Sequence, residues 1–445
     1  MASNKGKKAK HDDDRISNLP ESILSRILSW LPIKDAVSTS ILSTRWRYLF
    51  LSMFNLDVDF HMFGRPPSPH TVKSFTNFMD KLLFFHSEGR IEQFRFNYIP
   101  ISGLNVSCVC GWICAALWRG VKDIDFNFAS ESDSIPVLST ALLFTVKTLV
   151  RLKLGIPHLM TVPVHVRLPT LKTLVLENVV FEDDDSVKRL LTSCPVLEDL
   201  SISHCYMGNM KCLQISNPSL KSLALVFKCN LFEFVLFPFK VHIVIDVPSL
   251  VYFKYVGYIA KNYSIVNMPS LGRADIDIYG GCNLRESDGL VQFFEVIGNI
   301  KSLQLALFPE PLPFLFQRLA ASPIQLHLKI LHTIKTWKRM GLFKFLQFSP
   351  NLQTLVISNV SNEITFPMEK VPSCVAYQLK EFKVLDFDDE SSLFKMVTYI
   401  LKNAKVLNKL TICTTRLLEA EEKFRITKQL LSLPRCSNKC QLIAF

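Results

Sequence analysis

The sequence predicts an α/β solenoid, with a small helical module before it and an α+β cap after it. Three observations carry this expectation. From residue 91 onward a pattern apolar-x-x-apolar-x-apolar keeps returning. Residues 15–55 instead carry apolar side chains at helical spacing. After residue 366 the returning pattern is interleaved with two amphipathic stretches. A chain of 445 residues is too long for one small core and suits several domains or one elongated array.

Half of the residues are apolar and a fifth are charged, the balance of a folded chain. Only 15 residues are glycine, against 34 phenylalanines, which argues against glycine-rich nucleotide loops. The formal charge of +12 is spread along the chain, and residues 1–15 contribute a net of +2. Spread charge without interleaved basic and aromatic side chains does not point to nucleic acid. No apolar leader follows Met1, so the twelve cysteines are expected as reduced thiols in nucleus and/or cytoplasm. The clusters Cys108, Cys110, Cys114 and Cys436, Cys440 lack paired metal-ligand spacing and read as buried small side chains. The uncharged run Phe96–Trp118 holds Asn97, Pro100 and Asn105 in its first half, so a buried helix over Val106–Leu117 is expected and no membrane span.

Residues 1–14 read as a disordered tail, whose lysines are either a nuclear import signal or simply solvated. Pro20 suits the first turn of a helix. Ile23, Leu24, Ile27, Leu28 and Leu31 then form an apolar stripe that Pro32 ends. A second helix is expected over Lys34–Leu42, with Ala36, Val37 and Ile41 inward, and a third, capped by Ser43, with Trp46, Leu49 and Phe50. Three short helices in ~40 residues bury too little surface to stand alone and call for a neighbour or partner.

These residues resemble a known family. Leu19-Pro20-Glu21-Ser22-Ile23-Leu24 through Leu31-Pro32, then Lys34-Asp35-Ala36-Val37 and Leu42-Ser43-Thr44-Arg45-Trp46-Arg47, resemble the F-box motif, without a gap. Phe50 and Leu51 depart from it, where plant members often have Trp. The resemblance implies docking to the Skp-type adaptor of cullin–RING ligases. It assigns that role to Leu19, Pro20, Ile23, Leu24, Ile27, Leu28, Leu31, Pro32, Val37, Leu42 and Trp46. Some of these must instead pack the module itself.

The returning pattern runs through Ile91-Phe94-Phe96, Val121-Ile124-Phe126, Leu149-Leu152-Leu154, Leu171-Leu174-Leu176 and Leu197-Leu200-Ile202. It continues through Leu220-Leu223-Leu225, Leu250-Phe253-Tyr255, Leu271-Ala274-Ile276 and Ile300-Leu303-Leu305. A poor copy near Leu326 and Leu328 precedes Leu352-Leu355-Ile357, Leu379-Phe382-Val384 and Leu407-Leu410-Ile412. The period matches leucine-rich repeats, each a short strand with a helical or irregular return, in an irregular horseshoe. Only Asn178 and Asn359 approximate the usual turn asparagine.

Alternation along a strand sends Leu174 and Leu176 inward and Thr173, Val175 and Glu177 to the concave face. The same rule exposes Arg95, Asp123, Asp125, Arg151, Lys153, Lys409 and the six residues expected to hold a target protein: Asp199, Lys254, Arg273, Asp275, Asp277 and Lys383. Val371-Pro372-Ser373-Cys374, Leu379-Lys380-Glu381-Phe382, Tyr399–Leu407 and the ending Cys440–Phe445 resemble the FBD domain of plant F-box proteins. There the pattern reads strand, helix 391–405, strand, helix 417–432, strand. The domains are thus drawn at 1–14 (tail), 15–58 (F-box), 59–365 (repeats) and 366–445 (FBD).

No catalytic motif, cofactor loop or metal-binding spacing occurs, and the runs Asp12–Asp14 and Asp183–Asp185 read as solvated turns. Asp386, Asp388, Asp389 and Glu390 lack the spacing and glycine of an EF-hand. The reading is a non-catalytic ligase subunit without cofactor or metal. Its partners are a Skp-type adaptor, through it cullin and RING subunits, and a target protein. Two alternatives stay open at this point: an interaction scaffold that drives no ubiquitination, and a small-molecule receptor using the repeat array.

Overall fold

The computed structural model describes residues 16, 18–63, 68–86, 91–98, 106–128, 143–156, 159–160, 162–207, 210–227, 241–258, 260, 262–279, 293–295, 297–308, 326–334, 341–358, 371–387, 391–414 and 419–444. The tail, Asp12–Asp14, Asn359 and Asp388–Glu390 lie outside them. The chain divides into two compact units, Met1–Pro157 and His158–Phe445.

The first unit opens with helices α1 (Glu21–Leu28) and α2 (Ile33–Ser38). Pro20 and Pro32 stand at their N-caps with φ −55° and −53°, where a missing N–H costs nothing and a fixed φ sets the entry angle. Helix α1 ends before Pro32. Ser29 closes it, donating to the Ser25 carbonyl at 2.8 Å and accepting the Phe54 N–H at 2.8 Å.

The expected second helix stops at Ser38 and tightens into a 3-10 turn over Thr39–Ile41, which leaves Ile41 88% exposed rather than inward. In place of the expected third helix lie turns and a 3-10 turn over Leu49–Ser52. So few residues cannot nucleate a helix unaided. Their buried side chains Trp46 and Leu49 stand three apart, a spacing the tighter turn also serves, and Leu49 N–H reaches the Trp46 carbonyl at 3.3 Å.

Strands β1 (Asn55–Asp59), β2 (Gln93–Tyr98), β3 (Asp123–Phe128) and β4 (Arg151–Gly155) follow in parallel order, with Asn55, Gln93, Asp123 and Arg151 in register. The array therefore starts before residue 91. Met53-Leu56-Val58 is an additional copy of the pattern, all three fully buried. Helices α3 (Pro69–Phe85) and α4 (Val106–Trp118) lie between strands. Ser68 caps α3 by accepting the Thr71 N–H at 3.2 Å, ahead of Pro69 in the first turn. Trp112 on α4 donates to Asp80 on α3 at 2.8 Å, and its ring meets Phe75 edge-on at 5.7 Å. The phenylalanine excess fills this core: Phe75, Phe94, Phe96 and Phe126 are all buried. Among the described residues no helix is long and apolar enough to cross a membrane.

The second unit carries eleven parallel main strands among its described residues. They are β6 (Thr173–Glu177), β8 (Asp199–Ser203), β10 (Ser222–Val226), β12 (Tyr252–Tyr258), β14 (Arg273–Tyr279), β15 (Ser302–Phe308), β16 (Ile330–Ile334), β17 (Thr354–Ser358), β18 (Glu381–Phe387), β19 (Lys409–Thr414) and β20 (Gln441–Ala444). β5 (Leu159–Met160) pairs with β7 (Val180–Phe181). Three returns are strands rather than helix or coil: β9 (Cys212–Ser216), β11 (His242–Asp246) and β13 (Asn262–Asn267) form a second parallel sheet. Elsewhere the returns include α5 (Asp185–Thr192), α6 (Gly341–Gln347), α7 (Ser373–Tyr377), α8 (Ser391–Asn403) and α9 (Ala420–Leu431).

The alternation holds: β6 reads half-buried, buried, half-buried, buried, half-buried, with Leu174 and Leu176 inside. The poor copy resolves as Leu328-Leu331-Thr333, with Thr333 in the slot that Leu305 and Ile357 fill beside it and only 1% exposed. Asn178, His204 and Asp386 all have φ near +56° and occupy one repeat position, five residues after the strand's start. Asn, Asp and His are the non-glycine residues found most often in that left-handed turn. The final segments do not form a separate body: Glu381 pairs with Thr354, Lys409 with Glu381 and Gln441 with Lys409, continuing the same ladder. Its last strand has four residues, a short exposed edge that limits further pairing.

Candidate protein-interaction surfaces

The helical module sorts its apolar side chains into two sets. Leu24 and Leu28, four apart on α1, are buried with Ile33, Ala36, Trp46, Leu49 and Met53. Ile23 sits one position from Leu24, about 100° around the helix, and is 46% exposed. A stripe this wide exceeds what one neighbouring turn can cover. Of the eleven adaptor positions, Leu24, Leu28 and Trp46 are core, and Leu19, Ile27 and Val37 are half-buried. Pro20, Ile23, Leu31, Pro32 and Leu42 are exposed. Two residues outside that set are exposed as well, Trp30 at 75% and Ile41 at 88%. Their signal was faint, because Trp30 falls beyond the helix end and Ile41 fits a helical inner face that is not formed. Arg45 ties the module together by donating to the Leu19 carbonyl.

The second surface is the outward face of the parallel strands. In the first unit Asp57, Arg95, Asp125 and Lys153 stand in one register row, alternating in sign. Arg95 lies 3.9 Å from Asp57, and Lys153 lies 3.9 Å from Asp125. Partial burial raises the Asp57 carboxyl, against the pull of Arg95. This row largely satisfies itself.

In the second unit Tyr252 stands beside Arg273, Lys254 beside Asp275, and Val256 beside Asp277. Arg273 binds Asp275 through Nε and a terminal nitrogen, both at 3.2 Å, and its guanidinium lies 5.6 Å from the Tyr252 ring centre. Asp275 is thereby covered, with 13% of its side chain exposed. His332, overlooked because its strand was hard to read, donates to or accepts from Ser358 Oγ at 3.1 Å. Burial lowers its basicity, as do Lys383 and Arg273, while Asp275 opposes them. The six target positions do not converge. Lys254, Arg273, Asp275 and Asp277 share two adjacent strands, but Asp199 lies three strands before β14 and Lys383 four after it, ~14 and ~19 Å at ordinary strand spacing.

Two residues of the Asp183–Asp185 run are structural, and Asp185 is exposed in the first turn of α5. Asp183 accepts from Ser186 N–H and Oγ and from Arg189, contacts that lower its carboxyl, Ser186 foremost. Asp184 accepts the N–H groups of Lys211 and Cys212. The described cysteines are free thiols, and burial pushes Cys194 to about 11 and Cys205 and Cys374 to about 12.

In each unit parallel main strands recur once per repeat, and the helical module of the first unit carries exposed apolar side chains. Comparison with known proteins matches three segments of the chain. Residues 16–56 match the F-box domain, 109–273 match the repeats of "FBD-associated F-box protein At5g56370, LRR repeats", and 367–412 match FBD. The chain is 33% identical over 424 residues to the F-box/LRR-repeat protein At4g14096 of Arabidopsis thaliana, covering 90% of this chain and 87% of that one. It is 29% identical over 440 residues to the F-box/FBD/LRR-repeat protein At5g56420 of the same plant, covering 97% and 98%. The chain belongs to the plant F-box/leucine-rich-repeat proteins with a C-terminal FBD domain. F-box domains in general bind Skp-type adaptors, and none of the matched domains is enzymatic.

Proposed function

We propose that this chain is the substrate-recognition subunit of an SCF-type (Skp–cullin–F-box) E3 ubiquitin ligase. The F-box docks the Skp-type adaptor and, through it, the cullin and RING subunits, while the strand array holds a target protein. The observation that carries the reading is the exposure of Ile23, Trp30, Leu31, Ile41 and Leu42 on a module whose core is already complete without them. Large apolar side chains left in water on a folded module mark a docking site. Family membership supplies the class of partner. The outward strand face supports the second half of the reading, since charges of both signs set specificity more than affinity. On this face Lys383 and Asp199 are exposed and Lys254 is half-buried, whereas Asp275 is held by Arg273 and Tyr252. Nucleus and/or cytoplasm is the proposed location.

The test is affinity purification from plant cells with the proteasome inhibited, comparing wild type with Ile41→Asp/Leu42→Asp. Adaptor, cullin and RING subunits are expected with wild type alone, and captured target with both. Truncation at residue 60 is unsuitable, because it removes β1 from the array. Wild type that recovers no adaptor or cullin contradicts the proposal.

A further inference from the structure

One residue before each main strand, a backbone rung links neighbouring repeats. In the second unit these residues are Lys172, Glu198, Lys221, Val251, Gly272, Lys301, Lys329, Gln353, Lys380 and Asn408, and from Glu198 onward each N–H reaches the carbonyl of the one before it at 2.8–3.2 Å. They form one row along the edge where the strands begin. In its early part the lysines are neutralised: Lys172 and Lys221 lie 3.3 and 2.8 Å from Glu198. In the first unit the equivalent Lys122 pairs with Glu92 at 3.8 Å. Late in the row the compensation ends. Among the described residues no carboxylate pairs with Lys301, Lys329 or Lys380, which fall within ~14 Å at ordinary strand spacing.

The same stretch holds an open hollow of about 340 Å³. It is lined by Lys301, Lys329 and His327 and by the carboxamides of Asn299, Asn351, Gln353 and Gln378. Every lining side chain can donate a hydrogen bond and none is acidic. Neighbouring lysines repel one another, so an anion settling here gains their attraction and relieves that repulsion. The hollow exceeds what a single oxyanion fills and matches the lower end of ligand pockets, ~300–1,000 Å³.

We propose that this edge hollow is a docking site for an acidic segment of a protein partner, whose carboxylates are received by Lys301 and Lys329 and oriented by the four carboxamides. The inference rests on the reading of the chain as a capture subunit and names the chemistry of what is captured.

The test uses the full chain in complex with its adaptor and three fluorescent decapeptides at 0.15 M salt: Glu-rich, its Gln counterpart, and a Lys-rich one. K301E/K329E is compared with K188E/K428E, which changes net charge equally at exposed helix positions elsewhere. The Glu-rich peptide is expected to bind, with affinity falling at least about tenfold in K301E/K329E and less than about twofold in the control. Equal weakening in both variants, or equal binding of the Gln-rich peptide, overturns the proposal as general electrostatic attraction. Saturable binding of inorganic phosphate that K301E/K329E abolishes, without peptide binding, overturns it in favour of a free-anion site. Circular dichroism melting of each variant, and K301Q/K329Q as a milder change, separate lost docking from lost folding. Adaptor binding is scored on the same samples, so a failure of the ligase reading is distinguishable from a failure at the hollow.

Discussion

Tyr252 Oη donates a hydrogen bond to Asp275 Oδ2 at 2.7 Å, across adjacent parallel strands. Desolvation first, and then that bond, push the Tyr252 phenol up to about 12. Because the folded value lies above the unfolded value near 10, the protonated tyrosine contributes stability that is complete below pH 10 and is lost as pH rises towards 12. Tyr252→Phe is expected to remove one late-titrating phenol from the absorbance titration at 295 nm. It should also destabilise the neutral-pH fold by about 1 kcal/mol, the net worth of such a bond. Unchanged stability in urea would show that Arg273 alone holds Asp275.

His332 titrates in the opposite sense. Burial lowers its folded value below the ordinary 6.5, so its contribution is present above pH 6.5 and is lost as pH falls through the folded value. His332→Gln should flatten that acid limb in denaturation curves between pH 7 and 5. An acid limb as steep as wild type would assign it to other groups.

Gly257 has φ +156°, and a Cβ there meets the Phe227 ring at 2.9 Å. Gly257→Ala is expected to cost about 1–3 kcal/mol through strain and contact. Adding Phe227→Leu should recover part of that loss if the ring contact matters, as a double-mutant cycle measures.

Thiol chemistry separates by burial. Cys436 is exposed, whereas Cys194, Cys205 and Cys374 are buried with thiols pushed far above neutral pH. A thiol-reactive dye should label Cys436 readily and those three only on unfolding. Rapid labelling of Cys205 or Cys374 in the native chain would contradict the packing.

The repeat strands were legible because their inner positions demand apolar side chains at fixed spacing, and Leu171-Leu174-Leu176 announces itself. The pattern fails where a position is filled unusually. Thr333 masks one strand, and Met53-Leu56-Val58 lies within the residues assigned to the F-box. The helices after residue 390 were legible to within a few residues, since α8 and α9 are amphipathic and bounded. The third F-box helix was not, because periodicity cannot tell a helix from successive tight turns when only Trp46 and Leu49 must be buried. Site chemistry was harder. Alternation identifies an outward residue such as Asp275 but not that Tyr252 and Arg273 already occupy its carboxylate. The edge lysines precede the strands and belong to no alternation at all.

The division of the F-box into core and docking side chains is tested most directly by titrating purified Skp-type adaptor onto four chains by calorimetry: wild type, Leu24→Ala, Ile41→Asp/Leu42→Asp and Lys254→Glu/Lys383→Glu. Leu24→Ala empties a fully buried position and should lower stability by about 2–5 kcal/mol. Ile41→Asp/Leu42→Asp should melt like wild type yet bind adaptor at least about a hundredfold more weakly. The sheet-face variant should bind adaptor as wild type does. Adaptor affinity within about threefold of wild type for the folded Ile41→Asp/Leu42→Asp chain would contradict the account.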